Sequence, residues 1–323
     1  MNLPPHETWS VIDSTKLKDF IKCPRCYFFR HVLGWKTDAP SYHLEAGIAW
    51  HLGMEHLLRG LQREGNYKEA LLSAMLATST YYDKALPEGV EGAKSKDNLL
   101  RALEQYAERY KEDSFKVLAV EVCGTVTVTD TKQMHFRIDA IIEDAFGIWV
   151  WDHKTAGRPN NPREQWWSIS PQIGTYIYVL NLWCPPEKEP CGAKLNIVIL
   201  RNPPKLKKDG TPYANSTEGN EFTRIPVRKN DASIQAWLDS TIYYLDQIDA
   251  QHAQLLGVDN DRENTMLSFP TNTEGCTFCQ YLDFCANWPN PLQRCGEVPI
   301  GFTKKYWDPR DKEKEEGVTK VNL

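Results

Sequence analysis

The chain has 323 residues, of which 41% are hydrophobic, and it carries nine cysteines and a formal net charge of −5. This length and apolar content allow a sizeable core and exclude a disordered chain. The charge excludes a general attraction to nucleic acid, so any such contact requires a local basic patch or bound cations.

The sequence argues against membrane contact. The longest apolar stretch, residues 173–184, is too short and too polar to span a bilayer. The first ten residues, MNLPPHETWS, lack the basic and apolar regions of a signal peptide. We therefore expect a soluble, cytoplasmic protein, in which clustered cysteines are more often metal ligands or catalytic groups than disulfides.

The first third of the chain is predicted to be helical. Helical spacing of apolar residues indicates four stretches, near 14–22, 43–62, 67–83 and 95–112. His51 lies on the second, with Gly47 one turn before it and Glu55 one turn after it. A single helical histidine is more often a surface or core residue than a metal ligand.

Alternating β-forming residues then predict a three-stranded antiparallel meander, with strands near residues 120–128, in MHFRIDAII and in GIWVWDHK. Asp152 and Lys154 are two apart and share a face, whereas His153 faces the other way. In a hairpin centred on the turn EDAFG, opposed residues have numbers summing to 291, as those of Asp139 and Asp152 do. The two carboxylates are therefore predicted to face each other.

Opposed carboxylates destabilise a ladder unless a cation offsets them. Asp139 and Asp152 beside Lys154 suit Mg²⁺ or Mn²⁺ and the hydrolysis of a phosphodiester, with the lysine near the attacking water or the phosphate. The alternative is an ordinary ion pair between Asp139 and Lys154 on a solvated sheet face. The apolar surroundings in IWVWDHKT favour the metal site.

The second half of the chain is predicted to hold two more helices, a strand and a loose end. The order is a helix near 163–184, a strand at 194–200, a turn-rich loop or hairpin tip at 202–220, a long helix near 230–256 and a loose charged tail. Gln172 and Tyr176 lie one turn apart on the first of these helices, and ordinary packing would explain that pair equally well.

Clustered cysteines follow the long helix. In CTFCQYLDFC three of them have the spacing C-x2-C-x5-C, namely Cys276, Cys279 and Cys285. Such a site needs a fourth ligand. The candidates are Cys295 close by, or Cys23 or Cys26 in KCPRCYFF near the start of the chain.

Six motifs, in order, resemble the PD-(D/E)XK nuclease superfamily, specifically its RecB-like and AddB-like iron–sulfur branch, which includes the CRISPR-associated RecB-type exonucleases. They are STKLKDFIKCPRCYFF, GIAWH, FRIDAIIED, WDHKT, QIGTY and CTFCQYLDFC. The resemblance implies an α/β (α+β) fold with a central mixed sheet flanked by helices and an iron–sulfur subdomain joining the N- and C-terminal segments.

Five regions are expected on this basis. They are an N-terminal segment contributing to the iron–sulfur subdomain (1–42), a helical region (43–112), the nuclease core (113–257), the C-terminal cysteine region (258–296) and the charged tail (297–323).

The resemblance also implies roles for particular residues. The metal ligands would be His51, Asp139, Asp152 and the main-chain carbonyl of His153, with Lys154, Gln172 and Tyr176 completing the catalytic set. A 4Fe-4S cluster would be held by Cys23, Cys276, Cys279 and Cys285, and zinc on the same thiolates stays open. Phe136 departs from the family pattern, since many relatives have glycine there, and Glu121 is a minor acidic candidate.

The expected function is a Mg²⁺- or Mn²⁺-dependent deoxyribonuclease. We expect an exonuclease on single-stranded DNA or DNA ends, with 5′-to-3′ polarity as one option, in recombination, repair, phage or defence processing. Because no G-x4-G-K-S/T motif is present, unwinding would require a helicase or recombination partner. The alternatives are a non-catalytic DNA-binding scaffold and a cysteine–metal redox protein, which leaves the carboxylates, lysine and histidine unexplained.

Overall fold

The computed structural model describes most of the chain. The described residues are 3–39, 41–63, 66–156, 164–202, 207–209, 211, 219–257, 261–262, 265–315 and 317–323. Among them, no helix combines the length and apolar character needed to cross a membrane.

A six-stranded mixed sheet forms the centre of the molecule, in the order β10-β2-β3-β4-β5-β6. Its strands are β2 (Lys116–Thr129), β3 (Lys132–Asp144), β4 (Gly147–Ala156), β5 (Pro190–Ile199), β6 (Glu221–Val227) and β10 (Thr319–Asn322). β2, β3 and β4 form the predicted antiparallel meander, and β6 is antiparallel to β5. β5 lies parallel to β4, and β10 lies parallel to β2.

Nine helices are found among the described residues: α1 (Ser14–Lys22), α2 (Pro24–Tyr27), α3 (Tyr42–Arg63), α4 (Tyr67–Ala85), α5 (Lys96–Arg109), α6 (Glu164–Ser168), α7 (Pro171–Trp183), α8 (Asp231–Leu256) and α9 (Leu282–Asn287). Polar side chains cap several of their first turns, as Asp13 does for α1 by accepting from the Lys16 amide at 2.9 Å.

The helices cover both faces of the sheet. α3, α4 and α5 pack together on one face, where Leu58 of α3 meets Trp149 and Trp151 of the sheet. α1, α7 and α8 pack on the other face and close the larger core with the apolar side chains of the meander. The predicted fold class, a mixed sheet flanked by helices, is confirmed.

The predicted helix at 163–184 is wrong as a single element, and residue 163 lies outside the described residues. α6 ends at Ser168 and α7 starts at Pro171. Ser170 precedes that proline and has a ψ of 128°, which is extended backbone. The proline ring disfavours helical backbone at the residue before it, so the chain turns here and restarts with proline at the first helical position.

Aromatic side chains join the two ends of the chain. β1 (Trp35–Thr37) pairs with β9 (Phe302–Lys304), and Phe29 stacks on Tyr281 with ring centroids 5.3 Å apart. The Tyr281 hydroxyl donates to the Trp35 carbonyl at 2.5 Å. A second small pairing, of β7 (Asp261–Arg262) with β8 (Thr265–Met266), precedes this region.

The charged C-terminal residues are packed against the protein, which corrects the expectation of a loose tail. The Trp307 indole donates to Asp13 Oδ2 at 3.0 Å, and β10 then adds to the edge of the main sheet. Gly124 of β2 permits that pairing, because a Cβ at this position would lie 1.7 Å from the Val321 carbonyl oxygen. We call residues 307–315 the C-terminal strap.

Candidate active site

The predicted catalytic residues meet where β3 and β4 separate. The β3–β4 ladder ends with Ala140 opposite Trp151, and its pairs have numbers that sum to 291 as predicted. Beyond that pair β3 continues beside β2, and β4 continues beside β5. Asp139 and Asp152 are the next residue on each strand, so both lie at the opening of this fork.

Asp139 is held by groups from β4 and α3. Its Oδ2 accepts a hydrogen bond from the His153 backbone N–H at 2.7 Å and lies 3.2 Å from His51 Nδ1. Burial opposes the charge on both side chains, but their mutual attraction prevails: it raises the pKa of His51 and holds the pKa of Asp139 well below its usual range. Each side chain therefore favours the charged form of the other.

Asp152 starts a chain of polar contacts that crosses to α7. Lys154 Nζ lies 2.9 Å from Asp152 Oδ1 and 2.8 Å from Oδ2, and it also donates to Gln172 Oε1 at 3.1 Å. The Gln172 amide donates to the Tyr176 hydroxyl at 2.9 Å, and that hydroxyl donates to the main-chain carbonyl of Arg137. The helical pair and the strand lysine thus form one network, which fixes the lysine against the carboxylate.

A third carboxylate, that of Glu121, lies beside this pair. Its neighbours Val120 and Val122 pair with the residues flanking Asp139 on β3, so Glu121 falls opposite Asp139. The Glu121 side chain is buried and ion-paired with Arg137, and its φ of 52° is in the left-handed region. Burial, followed by the charge of Asp139, raises the pKa of Glu121 to about 7.

The His153 ring lies apart from the Asp152 side chain. Its Nδ1 is 3.0 Å from Asn196 Nδ2, a residue directly beside it on β5, and Asn196 Nδ2 also donates to the Tyr106 hydroxyl at 2.6 Å. Burial lowers the pKa of His153 to about 3, so the ring is neutral. Asn196 was not identified from the sequence, although its parallel pairing with His153 follows once β4 and β5 are aligned.

These donors suit a hard divalent cation. Asp139, Asp152 and Glu121 crowd negative charge, and burial, reinforced by Asp139, also raises the pKa of Asp152. A cation among such oxygens relieves that repulsion. In the described part of the chain, no three His, Cys, Asp or Glu side chains are already arranged around one metal position, so ligation requires side-chain rotation, such as His51 turning from Asp139.

The fork opens into a cleft of about 570 Å³. Residues of α3, β3, α7 and the C-terminal strap line it, including His51, Asp139, Gln172 and Trp307. Asp139 and Glu121 therefore lie at the wall of a space that a ligand can enter, whereas Asp152 is buried behind them.

The predicted iron–sulfur cysteines meet at the junction of the chain ends. A Cβ on Gly275 would lie 3.0 Å from Cys23 Cβ, which places the N-terminal cysteine beside the segment that starts at Cys276. Burial and the neighbouring thiols of Cys23, Cys279 and Cys276 together raise the pKa of the Cys285 thiol to about 11, against the opposing effect of Arg25. Cys26 is also near, since it shares a hydrogen bond with Cys279.

Arg25 gives this cysteine group a counter-charge. Its side chain is buried, its Nε donates to the Phe269 carbonyl at 2.8 Å, and the charges that act on its guanidinium are those of Cys285 and Cys23. A buried guanidinium facing thiols suits an anionic thiolate–metal group. The described thiols are free and are not preorganised around one metal position, and Cys295 instead lies 3.5 Å from the Leu292 carbonyl.

A forked mixed sheet that holds buried carboxylates and a lysine is the architecture of a nuclease-type α/β protein. The family comparison agrees, since the model of the PD-(D/E)XK nuclease superfamily matches residues 12–286. The chain belongs to this superfamily. Its members are typically nucleases that commonly use Mg²⁺ or Mn²⁺, so membership indicates metal-dependent nuclease activity.

Other comparisons add little. No curated protein matches the chain. One of 13 matching solved chains, described as "Crystal structure of SSO0001", is 17% identical, with 60% of this chain and 74% of that chain covered, at a TM-score of 0.25. A TM-score of that size carries no argument about function.

Proposed function

We propose that the protein is a Mg²⁺- or Mn²⁺-dependent DNA exonuclease of the RecB-like and AddB-like branch, which acts on single-stranded DNA or DNA ends. The observation that carries the proposal is the fork between β3 and β4, where Asp152 contacts Lys154 and the neighbouring Asp139 lines a cleft. Buried carboxylates in contact with a lysine at a cleft match the needs of phosphodiester hydrolysis better than those of a stable core.

The metal would be held by Asp139, Asp152 and His51, with the main-chain carbonyl of His153 as a further ligand. When bound, it supplies Lewis acidity to the phosphate and lowers the pKa of an attacking water. His51 reaches Asp139 from α3 and lines the cleft, so this helix can contribute a ligand to the same metal.

Lys154 would orient the attacking water and stabilise negative charge that develops on the phosphate. Its Nζ is positioned by Asp152 on one side and by Gln172 Oε1 on the other. Tyr176 anchors that glutamine and, through its bond to the Arg137 carbonyl, fixes α7 to β3. Gln172 and Tyr176 therefore act as positioning residues for the lysine.

Single-stranded substrate is favoured by the character of the cleft. Trp307, which is 39% exposed, and Tyr81 lie on its wall, where bases can stack on aromatic rings. Because the sequence carries no helicase motif, processing of duplex ends would depend on a partner that unwinds them. The proposal includes action from an end, with 5′-to-3′ direction as one option.

The cysteine group would hold a 4Fe-4S cluster on Cys23, Cys276, Cys279 and Cys285. Its role would be structural, because it links α2 at the start of the chain to the C-terminal cysteine region, which aromatic stacking already brings together. Arg25 would offset part of the negative charge of the cluster.

Anaerobic purification followed by digestion of labelled DNA tests this proposal. Strands labelled at the 5′ or the 3′ end, single or double, are incubated with Mg²⁺, with Mn²⁺ or with EDTA, and iron is measured in the same preparation. We expect metal-dependent release of short products from single strands, no cutting in EDTA and about four irons per chain. DNA binding without cutting under any metal would favour the non-catalytic scaffold. Cutting by a colourless protein that contains zinc would contradict the assignment of the cluster but not that of the nuclease.

A further inference from the structure

The wall of the cleft carries one guanidinium group among several carboxylates. Of the described residues that line it, Arg137 is the one lysine or arginine, and five are acidic: Asp13, Glu55, Glu121, Asp139 and Glu315. Such a surface repels a polyanion unless cations offset the charge. A metal at the fork would supply part of that charge, and Arg137 is positioned to supply more.

Arg137 belongs to a row of side chains on one face of β3. His135, Arg137 and Asp139 occupy alternate positions, and each is more exposed than the buried residues between them. Alternate residues on a strand are about 7 Å apart. The row therefore leads from the carboxylates of the fork along the cleft, at the positions where a nucleic-acid backbone would continue from the reacting phosphate.

Carboxylates of the C-terminal strap now occupy this row. Arg137 Nη2 lies 3.1 Å from Glu315 Oε2, and His135 Nδ1 lies 3.0 Å from Glu313 Oε1. The Glu315 side chain is 44% exposed, so its attraction to Arg137 is weakened by water and is easily replaced. A phosphate offers a guanidinium the same paired oxygens as a carboxylate does.

We propose that Arg137 and His135 form a phosphate-binding subsite for the DNA backbone beside the reacting phosphodiester, and that Glu313 and Glu315 of the strap occupy this subsite until DNA displaces them. The inference rests on the proposed function, because it takes DNA as the ligand. Arg137 contributes a bidentate charged contact, and His135 contributes an N–H donor. The strap thus competes with DNA and limits the affinity for it.

Single charge removals on the strap test the proposal. In Glu315→Gln the competing carboxylate is lost, whereas Asp311→Asn removes the same charge from a side chain that is 63% exposed and pairs with Lys314 on the strap itself. Affinity is measured as the anisotropy of a 5′-labelled oligothymidylate in Ca²⁺, with a gel to show that the DNA stays intact. We expect binding about threefold to fivefold tighter in Glu315→Gln and less than about twofold tighter in Asp311→Asn.

A second background shows whether Arg137 mediates the gain. Combining Glu121→Gln with Arg137→Gln removes both partners of the buried pair, and the carboxylate of Glu315, which also loses its cation, is 44% exposed and hydrated. In this double variant DNA should bind more weakly, and the slope of the logarithm of the binding constant against the logarithm of salt concentration should be shallower by about 0.7. Adding Glu315→Gln to it should give no increase in affinity. Equal gains from Glu315→Gln and Asp311→Asn, or a gain that persists here, would overturn the subsite. If the protein cuts DNA but Glu315→Gln and Asp311→Asn increase DNA affinity equally, this inference alone is overturned. If the protein neither binds nor cuts DNA, the proposed function is overturned as well.

Discussion

Replacing Lys154 by methionine should separate the electrostatic role of the lysine from its packing. Methionine keeps an unbranched apolar stem and removes the ammonium that contacts both oxygens of Asp152 at 2.8 and 2.9 Å. Asp152 is 1% exposed and sits near the charge of Asp139, so it depends on this contact more than a surface carboxylate would. The variant should lose both cutting and stability.

The size of the stability loss follows from burial. Breaking a buried ion pair by removing one partner typically costs about 3 to 5 kcal/mol. The Lys154 side chain is 26% exposed, so water screens the pair and the low end, about 3 kcal/mol, is expected. This loss is smaller than the stability of an ordinary domain, about 5 to 15 kcal/mol, so the variant should still fold.

The loss should depend on pH. Burial already raises the pKa of Asp152, and removal of Lys154 takes away a charge that lowers it. The folded variant then holds a proton that the unfolded carboxyl releases, so its stability is retained below the ordinary carboxyl pKa of about 4 and falls as pH rises through the folded-state pKa. The deficit relative to the unsubstituted protein should therefore be larger at pH 8 than at pH 5.

Urea unfolding at both pH values, in EDTA and in Mg²⁺, measures these effects. The matched control is Lys188→Met, which breaks a surface pair with Glu143. The side chains of this pair are 46% and 26% exposed, so water screens it and its loss should cost far less stability than Lys154→Met. Mg²⁺ should stabilise Lys154→Met more than the unsubstituted protein, because the ion replaces the missing positive charge. The reasoning fails if Lys154→Met costs no more than the control, or if Mg²⁺ stabilises both proteins equally.

Three further changes test other parts of the molecule. Cys23→Ser should lose iron and melt at a lower temperature, whereas Cys26→Ser should retain its iron content and melting temperature. Equal iron contents in the two variants would show that the N-terminal ligand is misassigned. Burial lowers the pKa of His252 to about 4, so on acidification the unfolded state takes up a proton before the folded state does. The free energy of unfolding should therefore fall by up to about 3 kcal/mol between pH 6.5 and pH 4. In urea unfolding His252→Gln should lack this fall, and an unchanged pH dependence would contradict the assignment. Gly124→Ala should detach β10, since the added Cβ would lie 1.7 Å from the Val321 carbonyl oxygen, and hydrogen exchange at residues 319–322 should quicken; unaltered protection there would show that the strand accommodates the methyl group.

Elements with strong local periodicity were predictable from the sequence. α3 spans Tyr42–Arg63 against a prediction of 43–62, and α8 spans Asp231–Leu256 against 230–256. The hairpin register held because a symmetric turn fixes every opposed pair. In these elements the apolar spacing and the turn residues determine the structure locally.

Elements that depend on distant partners were not predictable in the same way. β10 is four residues long, TKVN, with no apolar alternation, and it forms because β2 offers an open edge and Gly124 leaves room. β6 was not predicted, because the sequence indicated only a loop or hairpin tip at 202–220 and the central residues of this strand are partly exposed. Such short edge strands are defined by their pairing rather than by their composition.

The sequence predicted which residue types form the site better than it predicted the hydrogen bonds and ion pairs between them. Spacing placed Asp152 and Lys154 on one face, and the structure adds that Gln172 bridges the lysine to α7. The ion pairs of Arg137 with Glu121 and Glu315 join residues far apart in the chain. Alternation along β3 indicates that Arg137 shares a face with Asp139, but only the fold brings the strap to it.

Single-turnover cutting of labelled single-stranded DNA by Lys154→Ala, beside the unsubstituted protein and Lys188→Ala, tests the central claim most directly. With Mg²⁺ the unsubstituted protein and Lys188→Ala should cut at similar rates, all cutting should stop in EDTA, and Lys154→Ala should be slower by at least about a hundredfold while it remains folded and still binds DNA. Metal-dependent cutting at an undiminished rate by folded Lys154→Ala would contradict the assignment of the active site to the fork between β3 and β4.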